Sequence, residues 1–105
     1  MAAMAFDLLI APEARQDIEE AYNWYEICRF GLGEEFLGCV DACIQRISRA
    51  PETHPKIFED YRRALVRRFP YVVFYECNGV TITIYSIFHT SQNPEKWRSR
   101  LSGKS

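Results

Sequence analysis

The chain has 105 residues, 48% of them hydrophobic and 26% charged, with a formal net charge of −1. This composition excludes a disordered or low-complexity chain, and the length allows one hydrophobic core but not two, so a single domain over residues 1–105 is expected. No apolar run approaches the ~20 residues that span a bilayer, and the N-terminal MAAMAFDLLIAPE has neither a basic stretch nor an apolar run long enough for a secretion signal; a cytoplasmic protein without membrane contact is expected.

The near-neutral total hides a bipolar chain. Residues 1–60 carry 12 acidic against 5 basic side chains, a net of −7, whereas residues 61–105 carry 8 basic against 2 acidic, a net of +6. A field of that shape steers an acidic partner toward one part of the surface.

In chain order, residues 5–10 (AFDLLI) read as a first strand ended by Ala11-Pro12. Pro12 suits the first turn of a helix, where its missing N–H costs nothing. Ala14, Ile18, Ala21, Tyr22 and Tyr25 follow at helical spacing until Gly31 and Gly33 interrupt them. A second helix is predicted from about Gly33 to Arg49, with Phe36, Val40, Cys43, Ile44 and Ile47 on one stripe. Glu34 and Glu35 open it and Arg46 and Arg49 close it, each matching the helix dipole. The short connection implies an antiparallel helical hairpin.

Residues 51–60 read as a turn-rich loop, and three strands follow, over Tyr61–Arg68, Tyr71–Cys77 and Val80–Phe88. Asn78-Gly79 is a strong hairpin signal between the last two. The tail adds one helical turn after Pro94. The order is β-α-α-β-β-β, an α+β fold with a helical hairpin packed on one face of a small, mostly antiparallel sheet. The run from Tyr71 to Tyr75 is apolar or aromatic on both faces, whereas a sheet with one wet face should alternate. Its second face is either shielded by the tail (Trp97, Leu101) or left open for another chain.

The richest candidate segment is YRRALVRRFPYVVFY, residues 61–75. Alternation puts Arg63 and Arg67 on one face with Tyr61 and Leu65, and Arg62 and Arg68 on the other with Ala64 and Val66. Clustered arginines with interleaved aromatics suit phosphate or carboxylate recognition, although charge on a strand also defends an exposed sheet edge. His89, just past the last strand, is a candidate acid or base near neutral pH, but no second titratable group stands beside it in sequence; His54, in a loop, carries less weight. Trp97 is either a stacking anchor or a cap on a small core, with Arg98 and Arg100 near it. The four cysteines, Cys28, Cys39, Cys43 and Cys77, read as small buried apolar residues because no metal-ligand spacing accompanies them. No cofactor and no metal site is expected.

Together, APEARQDIEEAYNWYE, GLGEEFL, YRRALVRRFPYVVFY and IYSIFH with a later W-x-x-R resemble the RelE/ParE superfamily of type II toxin–antitoxin toxins, on its ParE (plasmid stabilisation) side, over roughly residues 6–100. The resemblance implies the same β-α-α-β-β-β fold. On the ParE side it implies a toxin that acts by binding a target protein such as DNA gyrase, rather than as an enzyme, and that a cognate antitoxin neutralises. Arg63, Arg67, Arg68, Trp97 and Arg100 are then the target-binding candidates, and Tyr71, Val73 and Tyr75 the antitoxin-binding ones. The alternative is a RelE-like, metal-independent endoribonuclease acting on mRNA at the ribosome, with Arg62, Arg63 and His89 as its candidate catalytic residues. Two charges of that pattern are missing: its third-strand arginine falls near Val72 and its post-strand arginine near Ser91 or Gln92, while Trp97 stands where its tyrosine would be. A further alternative is a non-toxic module that only binds antitoxin.

Overall fold

The computed structural model describes residues 6–102. Strand β1 (Asp7–Ile10) is followed by helices α1 (Pro12–Cys28) and α2 (Leu32–Arg49), then by β2 (Lys56–Phe58), β3 (Tyr61–Leu65), β4 (Tyr71–Asn78), β5 (Thr81–His89) and a C-terminal helix α3 (Pro94–Ser102). The sheet order is β1-β5-β4-β3-β2. β1 runs parallel to β5, and the other neighbours are antiparallel. This is the expected α+β architecture with three corrections. Residues 56–58 are an extra edge strand, because Lys56 and Phe58 pair with Arg62 and Tyr61. The arginine strand stops at Leu65, and Arg67 and Arg68 lie in the loop beyond it, where Arg68 takes a φ of 75°. The tail is a nine-residue helix, longer than one turn. Ala5, counted in the expected first strand, lies outside the described residues.

The helical hairpin forms because its short turn is held at both ends. Pro12 occupies the first turn of α1. At the other end, Glu26 Oε1 accepts the backbone N–H groups of Gly31 (2.9 Å) and Gly33 (2.8 Å), two donors at the start of α2 that have no intrahelical partner. A carboxylate at that position also complements the α2 dipole. Gly33 is required for the close approach: a Cβ there would lie 2.8 Å from the Tyr22 ring.

Two cores result, one on each side of the sheet. On the hairpin side Phe36, Val40, Cys43 and Ile47 of α2 pack with Ala64, Val73, Tyr75, Ile82, Ile84 and Ile87. On the other side α3 lays Leu101 and Trp97 over Tyr61, Val72, Phe74 and Phe88. The Trp97 ring stacks on Phe74 with centroids 4.8 Å apart, a contact worth about 0.5–1.5 kcal/mol beyond its area. The double-sided apolar pattern of Tyr71–Tyr75 therefore has its cause in α3. Val73 and Tyr75 are fully buried beneath the helices, which corrects the expectation of an open apolar strand face for an antitoxin; only Tyr71 of those three keeps partial exposure.

The β4–β5 hairpin differs in detail from the sequence reading. Asn78 pairs with Thr81, so the turn residues are Gly79 and Val80, and only Gly79 has a positive φ (64°). This is the glycine-first pattern of a II′ hairpin. A bulge leaves Tyr85 unopposed between the Phe74↔Ser86 and Tyr75↔Ile84 pairs. It reverses the strand's alternation, so that Ile84 and Ile87 both face the hairpin. Ser86 is fully buried and its hydroxyl has no partner among the described residues. An unsatisfied buried hydroxyl costs about 1–3 kcal/mol. Ser86→Ala should therefore raise the unfolding free energy by about 1 kcal/mol in a denaturant titration; a loss of stability would show that a bound water satisfies the hydroxyl.

Cys43 is buried, and burial pushes its thiol up from the ordinary range. Cys28 is exposed and Cys39 and Cys77 half-buried, so the reading of all four as buried holds fully only for Cys43. No described helix is long and apolar enough to cross a membrane.

Candidate functional site

The arginines of residues 62–68 divide by what their side chains already hold. The Arg62 guanidinium donates to the carbonyls of His54 (2.7 Å) and Glu52 (3.2 Å), pinning the 51–55 loop to β3. Arg68 meets Glu35 at 3.1 Å, and Arg29 meets the same carboxylate at 3.3 Å. The Arg68 hydrogen bond, then the Arg29 charge, hold Glu35 below the usual carboxylate range. These groups are exposed, and such pairs add little stability. Arg63 and Arg67 are exposed, and their guanidiniums have no ion pair or hydrogen-bond partner among the described residues.

Arg63 and Arg67 share a shallow cleft of about 410 Å³ with Arg46, His54, Pro55, Ala64 and Leu65. It lies between the last turn of α2 and β3. Arg46 and His54 reach it from the hairpin side of the sheet, whereas Arg63, opposite Phe74, turns its side chain to the α3 side and borders the cleft where its backbone N–H donates to the Pro55 carbonyl at 3.2 Å. Arg46 is held in place by donating to the Leu65 carbonyl at 3.1 Å, with further N–H groups to spare. His54 is held from the other side. The Tyr75 hydroxyl lies 2.6 Å from the Pro51 carbonyl and 3.1 Å from His54 Nδ1. Burial pushes the Tyr75 phenol up to about 12, so it keeps its proton. That single proton goes to the Pro51 carbonyl, so Nδ1 of His54 must carry the other and donate to the phenol oxygen. The Nε2 atom is left with a free lone pair. Burial, then the charges of Arg46 and Arg62, lower the His54 pKa and favour this neutral form.

A second depression of about 410 Å³ runs between α1 and the end of β5, lined by residues including Asp17, Trp24, Tyr71, His89 and Arg100. Asp17 and Arg100 neutralise one another there, while Glu20 accepts only the neutral Gln16 amide at 3.1 Å. Asp17 accepts two bonds from Arg100 (2.8 and 3.2 Å) and one from the Ile87 backbone N–H (3.0 Å), and the Arg100 guanidinium also lies over the Phe88 ring at 4.6 Å. His89 Nδ1 accepts from the Ser91 N–H at 3.1 Å and faces its hydroxyl at 2.7 Å.

The structure thus leaves Arg63, on the α3 face of β3, and Arg67, in the loop beyond it, unpaired among the described residues, and ties down Arg62, Arg68 and Arg100. Arg100 clamps α3 to α1, and Trp97 covers Phe74. His89 stands opposite Tyr71 at the far end of β5, with β4 between it and Arg62 and Arg63, so the candidate ribonuclease set is not assembled. Arg46 and His54 are the cleft residues that sequence reasoning passed over. Arg46 showed only as a dipole-matching residue, and nothing in the sequence ties His54 to a tyrosine 21 positions later. The α1 end also exposes Trp24, Ile27 and Phe30, the last at 91%.

The chain matches, over residues 8–94, the family model described as the ParE toxin of the type II toxin–antitoxin system parDE. Toxin ParE2 of Mycobacterium tuberculosis is 29% identical over 89 residues, covering 84% of this chain and 85% of that protein. Among solved structures, the chromosomal ParDE system of P. aeruginosa superposes with a TM-score of 0.75 at 14% identity, covering 85% of this chain and all of the other. A mutant of E. coli toxin RelE in the free state gives 0.70 at 13% identity over 97% of this chain and all of that one. At these identities the structures establish the fold alone.

Proposed function

The chain belongs to the family of ParE toxins of type II toxin–antitoxin systems, and from that premise we propose that it acts by binding a target protein, DNA gyrase, and is neutralised by an acidic, amphipathic antitoxin. The observation that carries this reading is that the exposed Arg63 and Arg67 side chains have no ion-pair partner among the described residues. Exposed guanidiniums without counter-charges attract an incoming anionic group. The catalytic alternative has less support, since Arg62 is occupied by two backbone carbonyls and His89 lies at the far end of its strand.

Expression without antitoxin should slow growth, induce the SOS response and produce gyrase-linked DNA breaks, and the purified protein should inhibit gyrase supercoiling. Ribosome-dependent mRNA cleavage with supercoiling unaffected would overturn this reading in favour of the endoribonuclease. Full growth together with tight antitoxin binding would leave a module that only captures antitoxin.

A further inference from the structure

We propose that the outward stripe of α1 around Trp24 and Ile27 is the contact between two copies of this chain, packed antiparallel about a two-fold axis. A helix on a protein surface turns one apolar stripe to the core and its opposite side to water. The first half of α1 does so: Ala14, Ile18 and Ala21 meet the core, and Gln16, Glu19 and Glu20 are exposed. Its last two turns depart from that pattern. Tyr25 packs inward against Phe36 and Phe69, yet Trp24 is 60% exposed and Ile27 81%, and Phe30 follows in the turn at 91%. Single exposed apolar side chains are ordinary, but three within seven residues make a patch.

Helical spacing puts Glu20, Trp24, Ile27 and Cys28 on one side of α1, since positions three and four apart are neighbours. The C-terminal helix that shields the sheet lies on its other face, over Phe74 and Phe88, and no described element covers this stripe. An aromatic side chain presents about 150–250 Å², so the three exposed residues together offer on the order of 450 Å² of apolar surface per chain. Two copies meeting there bury on the order of 900 Å² before the polar rim is counted, near the lower limit of about 1,200 Å² for specific interfaces.

Charge selects both the occupant and the orientation. The stripe begins at Glu20, whose carboxylate holds only the neutral Gln16 amide at 3.1 Å. Just past its other end stands Arg29, which meets Glu35 at 3.3 Å and is exposed, with further N–H groups to spare. Parallel helices would set Glu20 against Glu20 and Arg29 against Arg29. Antiparallel helices set each Glu20 level with the second copy's Arg29. They also bring the two Trp24 side chains together near the two-fold axis, where an aromatic anchor contributes most. An acidic segment laid on the same stripe would meet Glu19 and Glu20, so the acidic partner drawn to Arg63 and Arg67 is repelled here.

The test is sedimentation equilibrium of the full chain across the micromolar range, joined to cross-linking by a bis-maleimide at Cys28, which is exposed on the same stripe. We expect a reversible monomer–dimer equilibrium and a cross-linked dimer that Cys28→Ser removes. Trp24→Ala and Ile27→Glu should each weaken association about thirtyfold or more, the effect of losing a central anchor. Both positions are exposed, so the variants keep their fold, which circular dichroism checks. Glu20→Arg should weaken association several-fold, and combining it with Arg29→Glu should recover most of the loss. A chain that stays monomeric overturns the proposal, and if Ile27→Glu also prevents antitoxin binding, the stripe belongs to the antitoxin instead. A dimer that survives Ile27→Glu, or one that Glu20→Arg leaves untouched, overturns it as well, because the copies then meet elsewhere or in another orientation. The measurement uses neither gyrase nor antitoxin, so a toxic monomer would sink this inference alone.

Discussion

Replacing Arg63 and Arg67 together with alanine is expected to abolish growth arrest on expression while leaving the folded protein intact. Both side chains are exposed and hold no partner among the described residues, and substitutions at such positions usually change stability by only about ±0.5 kcal/mol. Removing them breaks no ion pair or side-chain hydrogen bond among the described residues, so no collapse of β3 follows. The loss should therefore appear in the toxicity assay and in gyrase inhibition, with the thermal transition almost unmoved. Arg68→Ala should do far less, because Arg68 is already engaged with Glu35 at the exposed surface. His89→Ala should also do less, because no second catalytic group stands with it. The wild-type interaction should weaken with salt, as the Debye length shrinks from ~10 Å at 0.1 M to ~3 Å at 1 M. A fully toxic Arg63/Arg67 double mutant, or a His89→Ala variant that alone removes activity, would reassign the contact surface.

Asp17→Ala is expected to be among the most damaging single substitutions for stability. The Asp17 carboxylate joins three elements, since it sits on α1, receives Arg100 from α3 and accepts the Ile87 N–H of β5. Its side chain is 12% exposed and that of Arg100 29%. Removing the carboxylate strands a half-buried guanidinium and a backbone donor. Breaking a well-buried pair costs about 3–5 kcal/mol; with the partial exposure of Arg100, about 3 kcal/mol is expected, a fall in Tm on the order of 10–15 °C for a chain of this size. The loosening should start at α3, which Arg100 ties down, so hydrogen exchange should rise first in residues 94–102. A change below about 1 kcal/mol, comparable to an ordinary surface ion pair, would show that Arg100 finds water or another acceptor at little cost.

Local order was readable from the chain itself. Apolar residues at helical spacing, Pro12 at a helix start and charges matched to the dipole all act within one or two turns, so α1 and α2 appeared with nearly their observed limits. Gly79 located the β4–β5 hairpin, although the turn is Gly79-Val80 rather than Asn78-Gly79, because register depends on pairing across the strands and not on the turn residues alone. The two-sided apolar pattern of Tyr71–Tyr75 was equally visible, and it did state a physical fact: both faces of β4 are covered. What covered the second face was undecided, since a nine-residue polar helix carrying Trp97 and Leu101 shows its role only once it lies on Phe74 and Phe88.

The candidate site divides in the same way. Alternation along residues 61–65 assigned Arg62 and Arg63 to opposite faces, because strand periodicity is a local property. Which arginines are free is not local: Arg62 is occupied by a loop eight to ten residues away, Arg68 by a glutamate 33 residues away and Arg100 by an aspartate 83 residues away. Five basic side chains with similar sequence surroundings thus reach different states through partners that only folding delivers. His54 shows the same limit most sharply. Its loop position said nothing, whereas the proton arrangement that frees its Nε2 depends on a phenol in the sheet core and on the carbonyl of Pro51. Composition and periodicity determined the elements and the sign of the surface charge, since those follow from each residue and its near neighbours. The tertiary structure decided which of those charges remained unsatisfied, because a charge is neutralised by whatever the fold brings within about 3 Å of it.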